Sequence, residues 1–125
     1  MPKRRILIAD DEPNIVLSLE FLMQRAGYSV EVVDNGEDAY KRVAQNPPDL
    51  LLLDVMLPRL SGFEVCQRLR ALPACRTLPI IMLTAKGRDS EVSKGLALGA
   101  TAYITKPFSV RDLVGQVQQI LGDPE

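Results

Sequence analysis

Histidine is absent from the 125 residues. Its absence excludes His-based nucleophilic and acid–base catalysis and the usual catalytic zinc sites. Cysteine occurs only as Cys66 and Cys75. Two cysteines do not build a disulfide framework, so both are read as free, structural thiols. No run of 18 apolar residues exists, and no transmembrane helix is expected. The apolar stretch behind the basic start spans only Ile6 to Ala9 before Asp10, Asp11 and Glu12 follow. That is too short for a signal peptide, and the reading is a cytoplasmic chain without membrane contact. An excess of either charge is also missing. The net charge of −1 gives no pointer to nucleic acid, and no direct nucleic-acid binding is expected.

What is present suits one domain over residues 1–125, with a core from about 4 to 121: apolar residues make up 46%, enough to fill it. Strand-like and helix-like segments alternate five times. Arg5–Ala9 reads as a buried strand, and Glu12–Ala26 as a helix with Ile15, Leu19, Leu22 and Ala26 at helical spacing. Pro13 suits its first turn and Gly27 its end. Tyr28–Val33, rich in β-branched residues, reads as a second strand. Gly36–Gln45 reads as a short helix with Ala39 and Val43 inward. Leu50–Leu53, four leucines ending on Asp54, suit a central strand covered on both faces.

A third helix starts near Ser61, whose spacing to Glu64 is that of a capping box. Pro79–Leu83 is the fourth strand, ending at Thr84. Ser90–Leu98 is a weaker helix, because Gly95 inside it costs about 1 kcal/mol. Thr101–Thr105 is the fifth strand. Ser109–Leu121 is the last helix, with Val110, Leu113 and Val117 inward and capping spacing from Ser109 to Asp112. The tail from Gly122 to Glu125 is expected to fray. This order predicts an α/β fold: a five-stranded parallel sheet with helices on both faces. Ligands of such sheets bind beyond the carboxyl ends of the strands.

Four of those ends carry unusual residues: Asp10-Asp11-Glu12, Asp54, Thr84, and Lys106 before Pro107. Parallel strands bring them to one edge. Clustered carboxylates repel one another unless a cation neutralises them, and a hard ion such as Mg²⁺ does so. A metal ion and Lys106 beside a carboxylate make a place for a phosphoryl group, whose transfer needs positioning and charge neutralisation. Thr84 can donate to a phosphoryl oxygen, and Asp54 is then the nucleophile. Each residue alone also fits an ordinary structural role; their coincidence at one edge decides the reading.

Four segments carry a resemblance to a known family: Ile-Leu-Ile-Ala-Asp-Asp-Glu at 6–12, Leu-Leu-Leu-Leu-Asp-Val-Met-Leu-Pro at 50–58 followed by Gly62, Ile-Ile-Met-Leu-Thr-Ala at 80–85, and Tyr-Ile-Thr-Lys-Pro-Phe at 103–108. Together they resemble the receiver domains of bacterial two-component response regulators, over about Arg4 to Leu121. The resemblance implies a flavodoxin-like fold and a phosphorelay function rather than enzymatic turnover. Asp54 would be the phosphoacceptor. Asp10, Asp11, Asp54 and the backbone carbonyl of Met56 would hold Mg²⁺. Thr84 and Lys106 would bind the phosphoryl oxygens, and Tyr103 would be the switch aromatic, turning inward as Thr84 moves. The Lys106–Pro107 peptide would be cis. The donor would be a sensor histidine kinase or a histidine phosphotransfer domain, docking at the first helix and the loop after the fifth strand. The downstream effector is not legible. The responding surface would be the fourth helix, fifth strand and fifth helix, which could support a phosphorylation-dependent dimer.

Two features depart from the family's better-known members. The acidic pair common before the switch aromatic in receivers attached to winged-helix DNA-binding domains is replaced by Thr101 and Ala102, which puts their charged dimer interface in doubt here. No output domain is encoded after Leu121 in the given sequence, and a stand-alone receiver would read the same as one cut from a longer regulator. Met56 and Lys86 would flank the path of an attacking water, and apolar Met56 cannot orient one, which predicts slow self-dephosphorylation. A haloacid-dehalogenase-like phosphatase would need Asp where Glu12 stands. A flavodoxin-like binding module would need a Gly-, Ser- and Thr-rich turn where Asp-Asp-Glu-Pro stands. A receiver acting by contacts alone is the third alternative.

Overall fold

The structure is a computed structural model of the chain and describes residues 3–85 and 89–122. Lys86 and the tail 123–125 lie outside the described residues. The elements are β1 (Arg5–Ala9), α1 (Pro13–Arg25), β2 (Ser29–Val33), α2 (Gly36–Gln45), β3 (Leu50–Asp54), α3 (Gly62–Arg70), a 3₁₀ turn (Pro73–Cys75), β4 (Ile80–Ala85), α4 (Asp89–Ala97), β5 (Ala102–Lys106) and α5 (Val110–Leu121). The strands are all parallel, in the order β2-β1-β3-β4-β5. The expected five-stranded parallel architecture is therefore present.

The leucine run explains the layers. Side chains alternate across a strand, so Leu50 and Leu52 enter one core with Ile6, Ile8, Ile81 and helices α1 and α5. Leu51 and Leu53 enter the other, with Leu7, Met82 and helices α2 and α3. All four leucines are fully buried. Strand β2 lies at one sheet edge and is only half covered, as its mixed exposure shows. Tyr28, read as part of that strand, precedes it and fills the α1–α5 core.

Local signals set the helix starts. Asn35 caps α2 by accepting from Asp38 N at 2.8 Å. Ser61 and Glu64 form the capping box, with Glu64 N donating to Ser61 Oγ at 3.2 Å and Ser61 N to Glu64 Oε1 at 3.3 Å. Ser109 caps α5 through Asp112 N. We expect Ser61→Ala to cost about 1 kcal/mol, read as a lowered urea midpoint with an unchanged slope.

Helix α4 forms where expected, with Gly95 buried beside Met82, whose Cγ a Cβ would meet at 3.5 Å in ordinary contact. Two details differ from the sequence expectation. Val110, expected inward, is 54% exposed, because it lines an open cleft with Phe21 and Phe108 and is not covered. Pro73–Cys75 adds a 3₁₀ turn between α3 and β4. Cys66 and Cys75 are free and buried. Burial pushes both thiols up, with nearby Arg70 opposing it, so neither is a ready nucleophile. Among the described residues no helix is long and apolar enough to cross a membrane.

Candidate functional site: an acidic cleft at the carboxyl edge of the sheet

The chain leaves β1 toward β2 on one side and β3 lies on the other, so strand order reverses beside the end of β1. Asp10 follows β1 directly and is completely buried. Asp54 is the last residue of β3 and is 4% exposed. Thr84 sits near the end of β4, one step beyond Leu83, which pairs with Asp54. Lys106 ends β5, paired with Ala85. The peptide between Lys106 and Pro107 is cis, as the resemblance implied.

Lys106 gathers the site. Its Nζ lies 2.9 Å from Asp10 Oδ2, 3.1 Å from Glu12 Oε1 and 3.3 Å from Asp54 Oδ2. Burial works against its charge, but the bond to Asp10 and the charges of Asp54 and Asp10 prevail and push its pKa up to about 12. Asp54 is shifted upward. Burial is the main cause and the Asp10 charge adds to it, while Lys106 and the Met56 N–H oppose it. Met56 N donates to Asp54 Oδ1 at 3.2 Å, and Glu12 N donates to Asp10 Oδ1 at 2.9 Å. The buried Thr84 hydroxyl has no hydrogen-bond partner among the described residues. An unpaired buried hydroxyl is costly, so this one has hydrogen-bonding capacity that no described residue uses.

Three carboxylates, Asp10, Glu12 and Asp54, place an oxygen each within 4.8 Å of one another. An all-oxygen set of hard anionic donors, two of them buried, suits a divalent ion of the Mg²⁺ class. Asp11, which the sequence reading put among the ligands, is exposed and is not one of the three. Glu12, given no role there, holds Lys106 instead, and α1 consequently starts without a side-chain cap. Its position two residues after Asp10 was the available signal. The Met56 side chain is 70% exposed and Tyr103 is 42% exposed, with its ring outside the core.

The loop from β3 to α3 carries Met56 and is closed at its base. Gly62 N donates to Val55 O at 2.9 Å, and a Cβ at Gly62 would stand 2.3 Å from the Asp54 carbonyl oxygen. Only glycine lets the start of α3 come that close to β3. On the far side, Thr101 ties β5 to β4: its N donates to Ile80 O at 2.8 Å and its Oγ1 accepts from Ile80 N at 3.0 Å. The residue that replaces the family's acid thus has a structural task.

Comparison with known proteins agrees with this geometry. The family model of the response regulator receiver domain matches residues 6–118. The chain is 46% identical over 118 residues to the alkaline phosphatase synthesis transcriptional regulatory protein PhoP of Bacillus subtilis, covering 94% of this chain and 48% of that protein. The chain spans about half the length of the curated relatives it matches. A solved response regulator from Chloroflexus aurantiacus superposes with a TM-score of 0.92 at 40% identity, covering 97% of this chain and 98% of that one. The receiver domain of sensor histidine kinase PA1611 from Pseudomonas aeruginosa, solved with a magnesium ion coordinated in its active-site cleft, superposes with a TM-score of 0.89 at 30% identity, covering 96% and 98%. With a matching fold, a matching sequence and an acidic cleft at the expected edge, the chain belongs to the response regulator receiver domain family of two-component systems.

Proposed function

We propose that the chain accepts a phosphoryl group on Asp54 from a phosphohistidine of another protein and changes its surface in response. One observation carries this reading: a buried carboxylate at a strand end, with an ammonium 3.3 Å away, and a buried hydroxyl, unpartnered among the described residues, one register step along the same edge. These 125 residues contain no histidine, so the donor imidazole lies outside them. An Asp54 carboxylate oxygen attacks phosphorus, the phosphorus–nitrogen bond breaks, and the imidazole leaves with that electron pair. Lys106 neutralises the oxygens that gain charge, and the Thr84 hydroxyl donates to one of them. Nothing is turned over, so the chemistry is that of a switch rather than of an enzyme with a separate substrate pool.

The acidic cluster fits Mg²⁺. Asp10 and Asp54 would hold it, with Asp11 and the Met56 carbonyl as further ligands by resemblance and Glu12 within the same cluster. Bound there, the ion supplies charge neutralisation and orientation of the phosphoryl oxygens.

Two surfaces support the partners. Phe21 and Val110 expose apolar area between α1 and the start of α5, next to the Pro107–Phe108 loop. That face suits a helical phosphohistidine domain of a sensor kinase or phosphotransfer protein. Tyr103 lines a second groove with Leu96, Phe108 and Gln116, between α4 and α5. A phosphoryl group held by Thr84 would draw on that groove through the inward turn of Tyr103, and a second copy or an output module would read the change.

Amide NMR with Mg²⁺ and beryllofluoride, an aspartyl-phosphate mimic, tests the reading. Shifts spreading from Asp54 to Tyr103 and α5, and lost in Asp54→Asn, are the expected result. Silence at saturating Mg²⁺ would leave only the contact-based alternative. Phosphoryl lifetime gives a separate check. Met56→Asn should shorten it, because an amide can orient the attacking water and a thioether cannot; an unchanged or slower decay would contradict this.

A further inference from the structure

Residues 58–60 form a three-residue turn. Leu60 N donates to Pro58 O at 2.9 Å across Arg59, whose φ is 72°. This positive-φ γ-turn is a rare and strained conformation for a residue with a side chain. Strain persists only where surrounding structure enforces it. Here the enforcing contact is the start of α2. Gly36 N donates to the same Pro58 O at 3.1 Å. A Cβ at Gly36 would lie 1.9 Å from Leu60 O and 2.8 Å from Leu60 Cβ. Arg59 also reaches Glu37 at 3.6 Å. The same loop carries Met56, whose N–H meets Asp54, and it is anchored at its other end by Gly62.

We propose that Gly36 is a positioning residue for the acceptor site: its bare Cα lets α2 press the Pro58–Leu60 turn into the one shape that sets Met56 against Asp54. The inference rests on the reading of the cleft as a metal-assisted phosphoacceptor site. It links a helix that contributes no ligand to the geometry of the ligand set, as supporting contacts around metal sites do.

The test is a Mg²⁺ titration by amide NMR of the isotope-labelled chain, with three variants. Gly36→Ala should bind Mg²⁺ about tenfold more weakly. Its Met56 amide should be displaced before any metal is added, while amides in β1 keep their shifts. Arg59→Val places a branched side chain on the positive φ in an exposed turn outside the core. It should move the same amide and weaken Mg²⁺ in the same direction. Gly115→Ala, whose Cβ meets nothing within 4 Å, should do neither. A merely structural Gly36 would lower the unfolding midpoint without moving the metal-free Met56 amide of the folded chain. Either Gly36→Ala or Arg59→Val, folded and binding Mg²⁺ as the wild type does with Met56 unmoved, overturns the inference. If Gly36→Ala does not fold, Arg59→Val decides alone. A wild type without Mg²⁺-dependent shifts at Asp54 and Met56 brings down the reading of the site, and this inference with it.

Discussion

Asp54→Asn should abolish phosphoryl uptake and at the same time raise the stability of the metal-free protein. The first effect follows from chemistry: an amide oxygen is too weak a nucleophile toward phosphorus, so labelling from acetyl phosphate should fall to background. The second follows from the environment. Asp54 is 4% exposed and shares its cleft with the buried charge of Asp10, and burial already pushes its pKa up. A carboxyl whose pKa is higher in the folded than in the unfolded state weakens the fold wherever it is ionised. Asparagine removes that cost and keeps an oxygen for the Met56 N–H, which now bonds Asp54 Oδ1. Most substitutions of buried residues destabilise, so a thermal midpoint raised by a few degrees would be diagnostic. Addition of Mg²⁺ should stabilise the wild type and leave the variant unmoved. A lowered midpoint in the metal-free variant would mean that Lys106 already compensates Asp54 fully.

Lys106→Met should act in the opposite direction, and more strongly. Lys106 is the counter-charge for two buried carboxylates and for Glu12. Removing one side of such a cluster leaves uncompensated charge, at a cost of about 3 kcal/mol. The pH dependence has a definite sign. Without the ammonium, burial and Asp10–Asp54 repulsion raise the Asp54 pKa further. The native state then holds its proton more tightly than the unfolded state, so the deficit is full above that raised pKa and shrinks as pH falls through it. Mg²⁺ should restore part of the loss at neutral pH by supplying the missing positive charge: a ligand at about a hundred times its Kd adds about 2.7 kcal/mol. Urea unfolding at two pH values, with and without Mg²⁺, reads all three effects. A deficit independent of pH and of Mg²⁺ would show that Lys106 contributes through packing of its alkyl chain instead.

Much of the fold was legible because its signals are local. Ser61 with Glu64, and Ser109 with Asp112, sit within one helical turn, and each capping bond forms as their spacing indicates. The four leucines before Asp54 indicate a strand buried on both faces, and alternation then divides them between two cores. Even the long-range convergence of Asp10, Asp54, Thr84 and Lys106 was readable, because parallel strands put all their carboxyl ends at one edge. Element type and strand order therefore suffice to place residues nearly a hundred positions apart beside one another.

Contacts that depend on how a chain turns in space were not legible. Which acid after β1 meets Lys106 depends on the turn into α1, where Asp10 points inward, Asp11 outward and Glu12 back to the ammonium. The need for glycine at position 36 arises from a carbonyl at Leu60, 24 residues further along, and no local pattern encodes that approach. The sequence marks Thr101 only as standing where an acid is common, and its bond to Ile80 depends on the pairing of β4 and β5. Val110 follows the helical period yet stays exposed, because the period says which way a side chain faces and not whether anything covers it. By itself the sequence determined the element order, the two-faced sheet and the four residues at its working edge, since these depend on short-range periodicity and on the geometry of parallel strands. The tertiary structure alone decided the ion-pair partners of Lys106, the lack of a partner for the Thr84 hydroxyl among the described residues and the fit of Gly36 against the β3–α3 loop, since each is a distance between segments far apart in sequence.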